Sequence, residues 1–182
     1  MTAPLVSTLV LGGARSGKSA FAEGLVTASG LTRIYCATAE AHDEEMAERI
    51  DRHRSDRDAE GWRTVEEPLD LPAVIGREAG PGRALLVDCL TLWLSNAMLR
   101  GGDVAMQQAG LLTALRGAGG PVVLVSNEIG LGLVPETPLG RRFRDAQGRL
   151  NQAVAVTVPR VVFVAAGLPL VLKPSIEGLT RS

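Results

Sequence analysis

One segment near the N-terminus constrains this chain more than any other: residues 12–19, with the sequence GGARSGKS. It fits the pattern G-x-x-x-x-G-K-[ST], in which small residues let backbone N–H groups turn inward around a phosphate. An apolar run precedes the segment and a helical pattern follows it, so a bound phosphate would lie at a helix N-terminus. A chance glycine turn is the alternative, and the complete, correctly flanked motif disfavours it. We therefore predict a P-loop.

The motif assigns roles to its residues. Lys18 would reach the β- and γ-phosphate oxygens, and Ser19 would bind Mg²⁺ through its hydroxyl. A neighbouring strand should supply a carboxylate, and Asp88 closes the apolar run 84–88. A helix N-cap is the other explanation for Asp88, and the P-loop favours the metal or substrate role. The residues predicted to contact the nucleotide phosphates are Gly12, Gly13, Ala14, Arg15, Ser16, Gly17, Lys18 and Ser19.

Apolar runs alternate with helical patterns along the chain, which is typical of βαβ units and a mostly parallel sheet. The sequence predicts an α/β fold with one P-loop domain over residues 1–182, of which 174–182 form a loose tail. Strands are predicted at residues 5–11, 33–37, 62–66, 84–88, 121–126, 161–165 and 168–172, with 62–66 at an edge and the last two as a short pair. Helices are predicted at residues 18–28, 43–54, 69–78, 90–99, 104–116 and 139–156.

Charge and composition exclude some classes of function. Nineteen basic and twenty acidic residues leave a net charge of −1, which argues against a general nucleic-acid or membrane-surface binder. Cys36 and Cys89 lie in apolar runs without metal-type spacing and read as buried free thiols. Neither a targeting signal nor an apolar stretch of ~20 residues is evident, so we expect a cytoplasmic protein without stable membrane insertion.

The two histidines, His42 and His53, differ in context. His42 begins an acidic stretch and reads as a helix-entry or surface residue. Met46, Ile50 and His53 follow i, i+4, i+7 spacing, which places His53 on the apolar face of a helix. Basic residues around it could simply complement the helix dipole. Alternatively, a neutral imidazole could attack a nucleotide α-phosphate and hold the nucleotidyl group covalently.

Beyond the P-loop, further blocks carry a family resemblance. They run in order through most of the chain: residues 34–39 (IYCATA), 43–50 (DEEMAERI) with His53-Arg54, 61–66 (GWRTVE), 125–130 (VSNEIG), 134–136 (VPE), 142–145 (RFRD) and 148–152 (GRLNQ). Together they resemble the bifunctional adenosylcobinamide kinase / adenosylcobinamide-phosphate guanylyltransferase family of cobalamin biosynthesis.

The resemblance implies a RecA-like P-loop fold, a homotrimer, and two reactions. The family phosphorylates adenosylcobinamide with a nucleoside triphosphate, then transfers GMP from GTP to that phosphate through a guanylylated histidine. His53 matches that histidine, and Lys18 is the other predicted catalytic residue. By resemblance, the GTP contacts outside the P-loop are Ala37, Thr38, Ala39, Arg54, Ser55, Asp56, Arg57, Glu66 and Asp88.

Two departures and several alternatives accompany this hypothesis. Some family members carry two adjacent histidines, whereas Arg52 precedes His53 here, and some carry Glu in place of Asp88. A plain small-molecule kinase would share the P-loop and Asp88 without needing His53. A GTPase switch would need a guanine-reading Asn-Lys-x-Asp sequence, which the chain lacks. A non-catalytic scaffold would not need the Lys18-Ser19 pair. ATP and GTP stay open as phosphate donors, because they present the same phosphates to a P-loop.

Overall fold

A computed structural model describes residues 4–40, Ser55 and residues 57–174 of the chain. Within this part, seven strands form one sheet and five complete helices pack on it, while Ser55 and residues 57–59 are also helical. The strands are β1 (Thr8–Gly12), β2 (Thr32–Ala37), β3 (Trp62–Glu66), β4 (Arg83–Asp88), β5 (Val122–Asn127), β6 (Arg160–Ala165) and β7 (Leu168–Lys173). The helices are α1 (Lys18–Ala28), α2 (Leu71–Glu78), α3 (Leu90–Leu99), α4 (Val104–Arg116) and α5 (Pro138–Thr157).

The strand order in the sheet is β3-β2-β4-β5-β1-β6-β7. The first six strands in this order are parallel, and β7 pairs with β6 in the antiparallel direction. The strand that leads into the P-loop, β1, is therefore separated from β4 by the single strand β5. Ligands of open parallel sheets bind outside the carboxyl ends of the strands, so this edge positions the site.

Aliphatic side chains cover both faces of the sheet, as the continuously apolar strands require. On one face, α2, α3, α4 and α5 pack against a core that includes Leu85, Leu124 and Trp93. On the other face, Ala22 and Val26 of α1 pack against Val10, Leu86 and Val123. Alternate residues of β2 point to opposite faces, which puts Tyr35 on the α1 side.

The predicted mostly parallel α/β fold is confirmed, including β3 at the edge and the C-terminal strand pair. The helix predicted at 43–54 lies outside the described residues, as do residues 175–182 of the predicted tail. Of the helices that the structure describes, none has the length and apolar character that crossing a bilayer requires.

Candidate active site

The P-loop connects the end of β1 at Gly12 to the start of α1 at Lys18. Gly17 has a φ of 91°, a left-handed conformation that glycine adopts without strain, and it turns the chain into the helix. The Lys18 ammonium donates a hydrogen bond of 3.1 Å to the Gly13 carbonyl oxygen, which holds the side chain across the loop. The loop thus combines a helix N-terminus with a fixed cation, which is the chemistry that binds phosphate.

Two neighbouring strands brace this loop. The Gly167 N–H, at the β6–β7 turn, donates a 2.8 Å hydrogen bond to the Ser16 carbonyl oxygen. The Glu128 N–H, directly after β5, donates to the Gly12 carbonyl oxygen at 3.1 Å. Beneath the loop, the Ser16 hydroxyl is buried and has no hydrogen-bond partner within the described part of the chain. Long-range contacts therefore fix the loop backbone at both of its ends.

The register of three parallel strands brings predicted residues together at the carboxyl edge. Ala37, the last residue of β2, pairs with Glu66 of β3 on one side and with Asp88 of β4 on the other. Glu66 is exposed, Asp88 is half-buried and Ala37 is buried. Because neighbouring strands lie about 4.8 Å apart, β4 is roughly 10 Å from β1 across β5. Asp88 thus faces the same edge as the phosphate loop.

Asp88 is held by a tyrosine rather than used as a helix cap. The N-cap of α3 is Cys89, so Asp88 does not cap this helix. The Tyr35 hydroxyl donates a 3.1 Å hydrogen bond to Asp88 Oδ2. Burial and the nearby Asp88 charge both raise the pKa of Tyr35, so the phenol stays protonated as a donor. The guanidinium carbon of Arg57 lies 3.8 Å from the centre of the Tyr35 ring.

Thr38 joins the ends of β2 and β4. Its buried hydroxyl donates to the Cys89 carbonyl oxygen and accepts from the Cys89 N–H, both at 2.8 Å. The Thr38 carbonyl oxygen accepts from Asn96 Nδ2 at 2.9 Å, and its N–H donates to the Asp88 carbonyl oxygen at 3.2 Å. Its polar groups are thus already engaged with the protein, and Thr38 shapes the edge of the sheet beside the half-buried Ala39.

A buried polar network supports the end of β5. Ser126 Oγ donates to Asn151 Oδ1 at 2.7 Å, and Gln147 Nε2 donates to both Ser126 Oγ (2.8 Å) and Asn151 Oδ1 (3.0 Å). The Asn127 N–H donates to Thr91 Oγ1 at 2.9 Å, and its carbonyl oxygen accepts from Asn151 Nδ2 at 3.2 Å. α3 and α5 therefore fix the strand between the P-loop and Asp88.

Carboxylate and thiol groups near the edge have shifted pKa values. Glu23 lies on α1, one turn after Ser19, and its pKa is raised by burial and by the charge of Asp88. Burial also raises the pKa of Cys89, and it raises that of Cys36 to about 12. Both cysteines are free and buried as predicted, so neither is a thiolate nucleophile at neutral pH.

Some of the predicted site residues lie together at the carboxyl edge of the sheet, and others fall outside the described residues. The P-loop, Ala37, Glu66, Asp88 and Arg57 meet at one edge, and Ser55 is exposed. His53, Arg54 and Asp56, together with His42, lie outside the described residues. Tyr35 and the Ser126–Gln147–Asn151 network were not predicted as site residues. Two sequence signals point to Tyr35: it is the sole tyrosine of a chain with 3% aromatic residues, and it lies in the block 34–39 that carries the family resemblance.

Comparison with known proteins matches residues 8–172 to the family described as cobinamide kinase / cobinamide phosphate guanyltransferase. The bifunctional adenosylcobalamin biosynthesis protein CobP of Pseudomonas aeruginosa is 52% identical, with 91% of this chain and 96% of that protein covered. The corresponding protein CobU of Escherichia coli K12 is 41% identical, with 91% and 98% covered.

A solved structure supports the fold independently of these relatives. The P4 protein of bacteriophage phi6, solved in complex with ADP, superposes with a TM-score of 0.50 at 18% identity. The superposition covers 94% of this chain and 57% of the P4 chain. At this level of identity the likeness extends to the P-loop NTPase fold alone.

Proposed function

The chain belongs to the cobinamide kinase / cobinamide phosphate guanyltransferase family, and on that premise we propose that it performs two successive transfers in cobalamin biosynthesis. It phosphorylates adenosylcobinamide with ATP or GTP and then converts the product into adenosylcobinamide-GDP with GTP. The observation that carries this proposal is the family match over residues 8–172, a span that includes the P-loop, Asp88 and the end of β5.

In the first transfer, the hydroxyl oxygen of adenosylcobinamide attacks the γ-phosphorus of the triphosphate. The bond to the β-phosphate oxygen breaks, the nucleoside diphosphate leaves, and the hydroxyl proton is released. The loop amides and Lys18 stabilise the negative charge on the phosphates. The hydrogen bond from the Lys18 ammonium to the Gly13 carbonyl oxygen supports this role, because it keeps the ammonium beside the backbone of the loop. No side-chain nucleophile is needed for this step.

In the second transfer, a neutral His53 nitrogen attacks the α-phosphorus of GTP and expels pyrophosphate, which leaves a phosphoramidate. The phosphate of adenosylcobinamide phosphate then attacks the same phosphorus, the P–N bond breaks, and adenosylcobinamide-GDP forms with free histidine. Arg57 follows His53 by four residues in the sequence. Its guanidinium stacks on the Tyr35 ring, and the Tyr35 hydroxyl donates a hydrogen bond to Asp88. We assign Arg54, Ser55, Asp56, Arg57 and Glu66 to the nucleotide, with Arg57 at the departing phosphates.

The residues present fit a magnesium ion. Ser19 offers a hydroxyl in the first turn of α1, and Asp88 offers a carboxylate whose orientation Tyr35 fixes. Magnesium sites commonly use one or two carboxylates together with substrate phosphates, so a larger cluster of protein ligands is not required. When bound, the ion would neutralise charge on the phosphate oxygens during both transfers.

Assembly and location complete the proposal. We propose a homotrimer, and the exposed apolar side chains of β7 support self-association: Leu168 is 73% exposed and Leu170 61%. The turn before β7 braces the P-loop through Gly167, so an interface on β7 would lie close to the nucleotide. We propose a cytoplasmic location, which fits two buried free thiols.

The experiment that tests the proposal uses substitution of His53 to distinguish the two transfers. The protein is incubated with GTP labelled in its α-phosphate, and label on the denatured protein is measured beside the conversion of adenosylcobinamide. Wild type should form an adduct that is acid-labile and alkali-stable, as a P–N bond requires. His53→Ala should lose the adduct and accumulate adenosylcobinamide phosphate, whereas the matched control His42→Ala should behave as wild type.

Two results would contradict the assignment. An adduct that persists in His53→Ala would place the nucleophile on another residue. Loss of both transfers in His53→Ala, with the fold intact, would mean that His53 shapes the nucleotide pocket and that the covalent route is wrong.

A further inference from the structure

Tyr35 stands between two residues of the candidate site and contacts them through different parts of its side chain. It is 7% exposed at the carboxyl end of β2. Its hydroxyl donates to Asp88 Oδ2 at 3.1 Å, while its ring face lies 3.8 Å from the guanidinium carbon of Arg57. The Trp62 ring packs edge-on against the same tyrosine, with 6.1 Å between centroids and 85° between planes.

The hydroxyl restricts Asp88. The Asp88 carboxylate can rotate about its Cα–Cβ and Cβ–Cγ bonds, and the hydrogen bond to Oδ2 restricts both rotations. Hydrogen bonds to ionised groups are stronger than those between neutral groups, so this contact holds Asp88 firmly. A carboxylate that is already oriented loses less conformational entropy when it binds a metal or a phosphate-bound group.

The ring restricts Arg57. A guanidinium over an aromatic face is attracted to the ring, and here Trp62 keeps the ring from rotating away. The Arg57 Nε atom is buried without a hydrogen-bond partner within the described residues, so stacking on the ring holds this side chain together with the attraction of the nearby Glu23 carboxylate. Arg57 is four residues from His53 in the sequence, which links its position to the second transfer.

We propose that Tyr35 is a positioning residue with two separable parts. Its hydroxyl orients Asp88 for both transfers, and its ring anchors Arg57 for the transfer of GMP. This inference rests on the proposed function, and it adds to that function a residue that is not among the predicted nucleotide contacts. The separation follows from the two contacts, because one depends on a single oxygen atom and the other on the aromatic face.

The hydroxyl is tested with Tyr35→Phe, which keeps the ring. The Mg²⁺ concentration that gives half-maximal rate should rise roughly tenfold in both transfers, as expected for a lost hydrogen bond to a charged group. The rate at saturating Mg²⁺ should stay within about twofold of wild type, because excess ion compensates for a loosened ligand. Thr113→Val is the matched control, since it removes an exposed hydroxyl from α4 on the opposite face of the sheet.

The ring is tested with Tyr35→Leu and Arg57→Gln. Each should slow formation of the labelled protein adduct roughly tenfold more than it slows phosphorylation of adenosylcobinamide. At saturating Mg²⁺, which compensates for the lost hydroxyl, the double variant should be no slower than Arg57→Gln in adduct formation, because the ring acts through Arg57. Thermal unfolding shows which variants are folded, and if Tyr35→Leu does not fold, Tyr35→Phe and Arg57→Gln still decide the question.

Each outcome either supports or overturns the proposal. A Tyr35→Phe protein with unchanged Mg²⁺ dependence, or with a loss that saturating Mg²⁺ does not restore, would show that the hydroxyl does not position Asp88. Equal slowing of both transfers by Arg57→Gln would overturn the role of the ring. A binding measurement separates failure of this inference from failure of the proposed function. The Mg²⁺ dependence of GTP binding is compared between wild type and Tyr35→Phe, and this comparison tests the role of the hydroxyl without any corrinoid substrate.

Discussion

Gly12 allows a steric test of the P-loop, because the structure gives the cost of adding one methyl group there. A Cβ at this position would lie 2.5 Å from the Val164 carbonyl oxygen and 2.5 Å from Ser16 Oγ. The serine can rotate, but Val164 is held in β6 opposite Gly12 and cannot move without disturbing the sheet. Gly13 is the matched control, since an added Cβ there meets nothing within 4 Å.

The expected magnitude follows from two opposing effects. Replacing glycine with alanine lowers the entropy of the unfolded chain and stabilises a protein by about 0.4–1 kcal/mol where the native backbone tolerates it. That gain applies to both variants, so their difference isolates the clash. Overpacking costs about 1–3 kcal/mol, and we expect Gly12→Ala to be less stable than Gly13→Ala by about 2 kcal/mol. In a chain of this length, that difference lowers Tm by about 4–8 °C.

The assay is urea unfolding of both variants without nucleotide, followed by circular dichroism. Protein concentration is held constant, because self-association would make the apparent stability depend on it. Thermal melts of the same samples provide the Tm difference. If the free energies of unfolding of Gly12→Ala and Gly13→Ala agree within about 0.5 kcal/mol, the reasoning from the Val164 contact is refuted.

Three further predictions concern charge and assembly. Lys18→Ala should keep the fold and lose triphosphate turnover in both transfers, because a few kcal/mol of charge stabilisation is removed; near-wild-type rates would refute the P-loop assignment. Sedimentation at micromolar concentration should show an assembly of about three 19.1 kDa subunits, and a monomer alone would contradict the trimer. For Glu78, burial opposes ionisation, but hydrogen bonds from Arg77 and Arg63 outweigh it and lower the pKa below 4.5. Its stabilising contribution is therefore fully present above the ordinary value of 4.5 and is lost as pH falls through the lowered pKa of the folded protein, so Glu78→Gln should narrow the gap in unfolding free energy between pH 7 and pH 3.

Local patterns predicted most of the elements well. The helix after the P-loop was predicted at 18–28 and found with those bounds, since strand, loop and helix signals follow one another without ambiguity. Differences occur where side chains compete for backbone groups. The helix predicted from residue 69 begins at Leu71, because Glu67 accepts hydrogen bonds from the Leu69 and Asp70 N–H groups and Asp70 caps the helix.

The first strand shows a similar limit. Apolar residues predicted a strand over 5–11, whereas β1 spans Thr8–Gly12 and pairs with β5 and β6. Leu5 packs against the core from outside the strand, so its apolar character reflects burial rather than pairing. Hydrophobicity alone does not distinguish these two reasons for an apolar residue.

In the candidate site, too, features that depend on local sequence could be predicted, whereas features that depend on long-range interactions could not. The P-loop could be predicted because its eight residues are consecutive in the sequence and form a recognisable motif. The hydrogen bond from Tyr35 to Asp88 joins positions 53 residues apart, and the bond from Asn96 to Thr38 spans 58. Both depend on β4 lying beside β2, an order that packing of the whole sheet determines and no short pattern specifies. A residue that acts by holding another, as Tyr35 holds Asp88, therefore becomes visible only once the strand order is known.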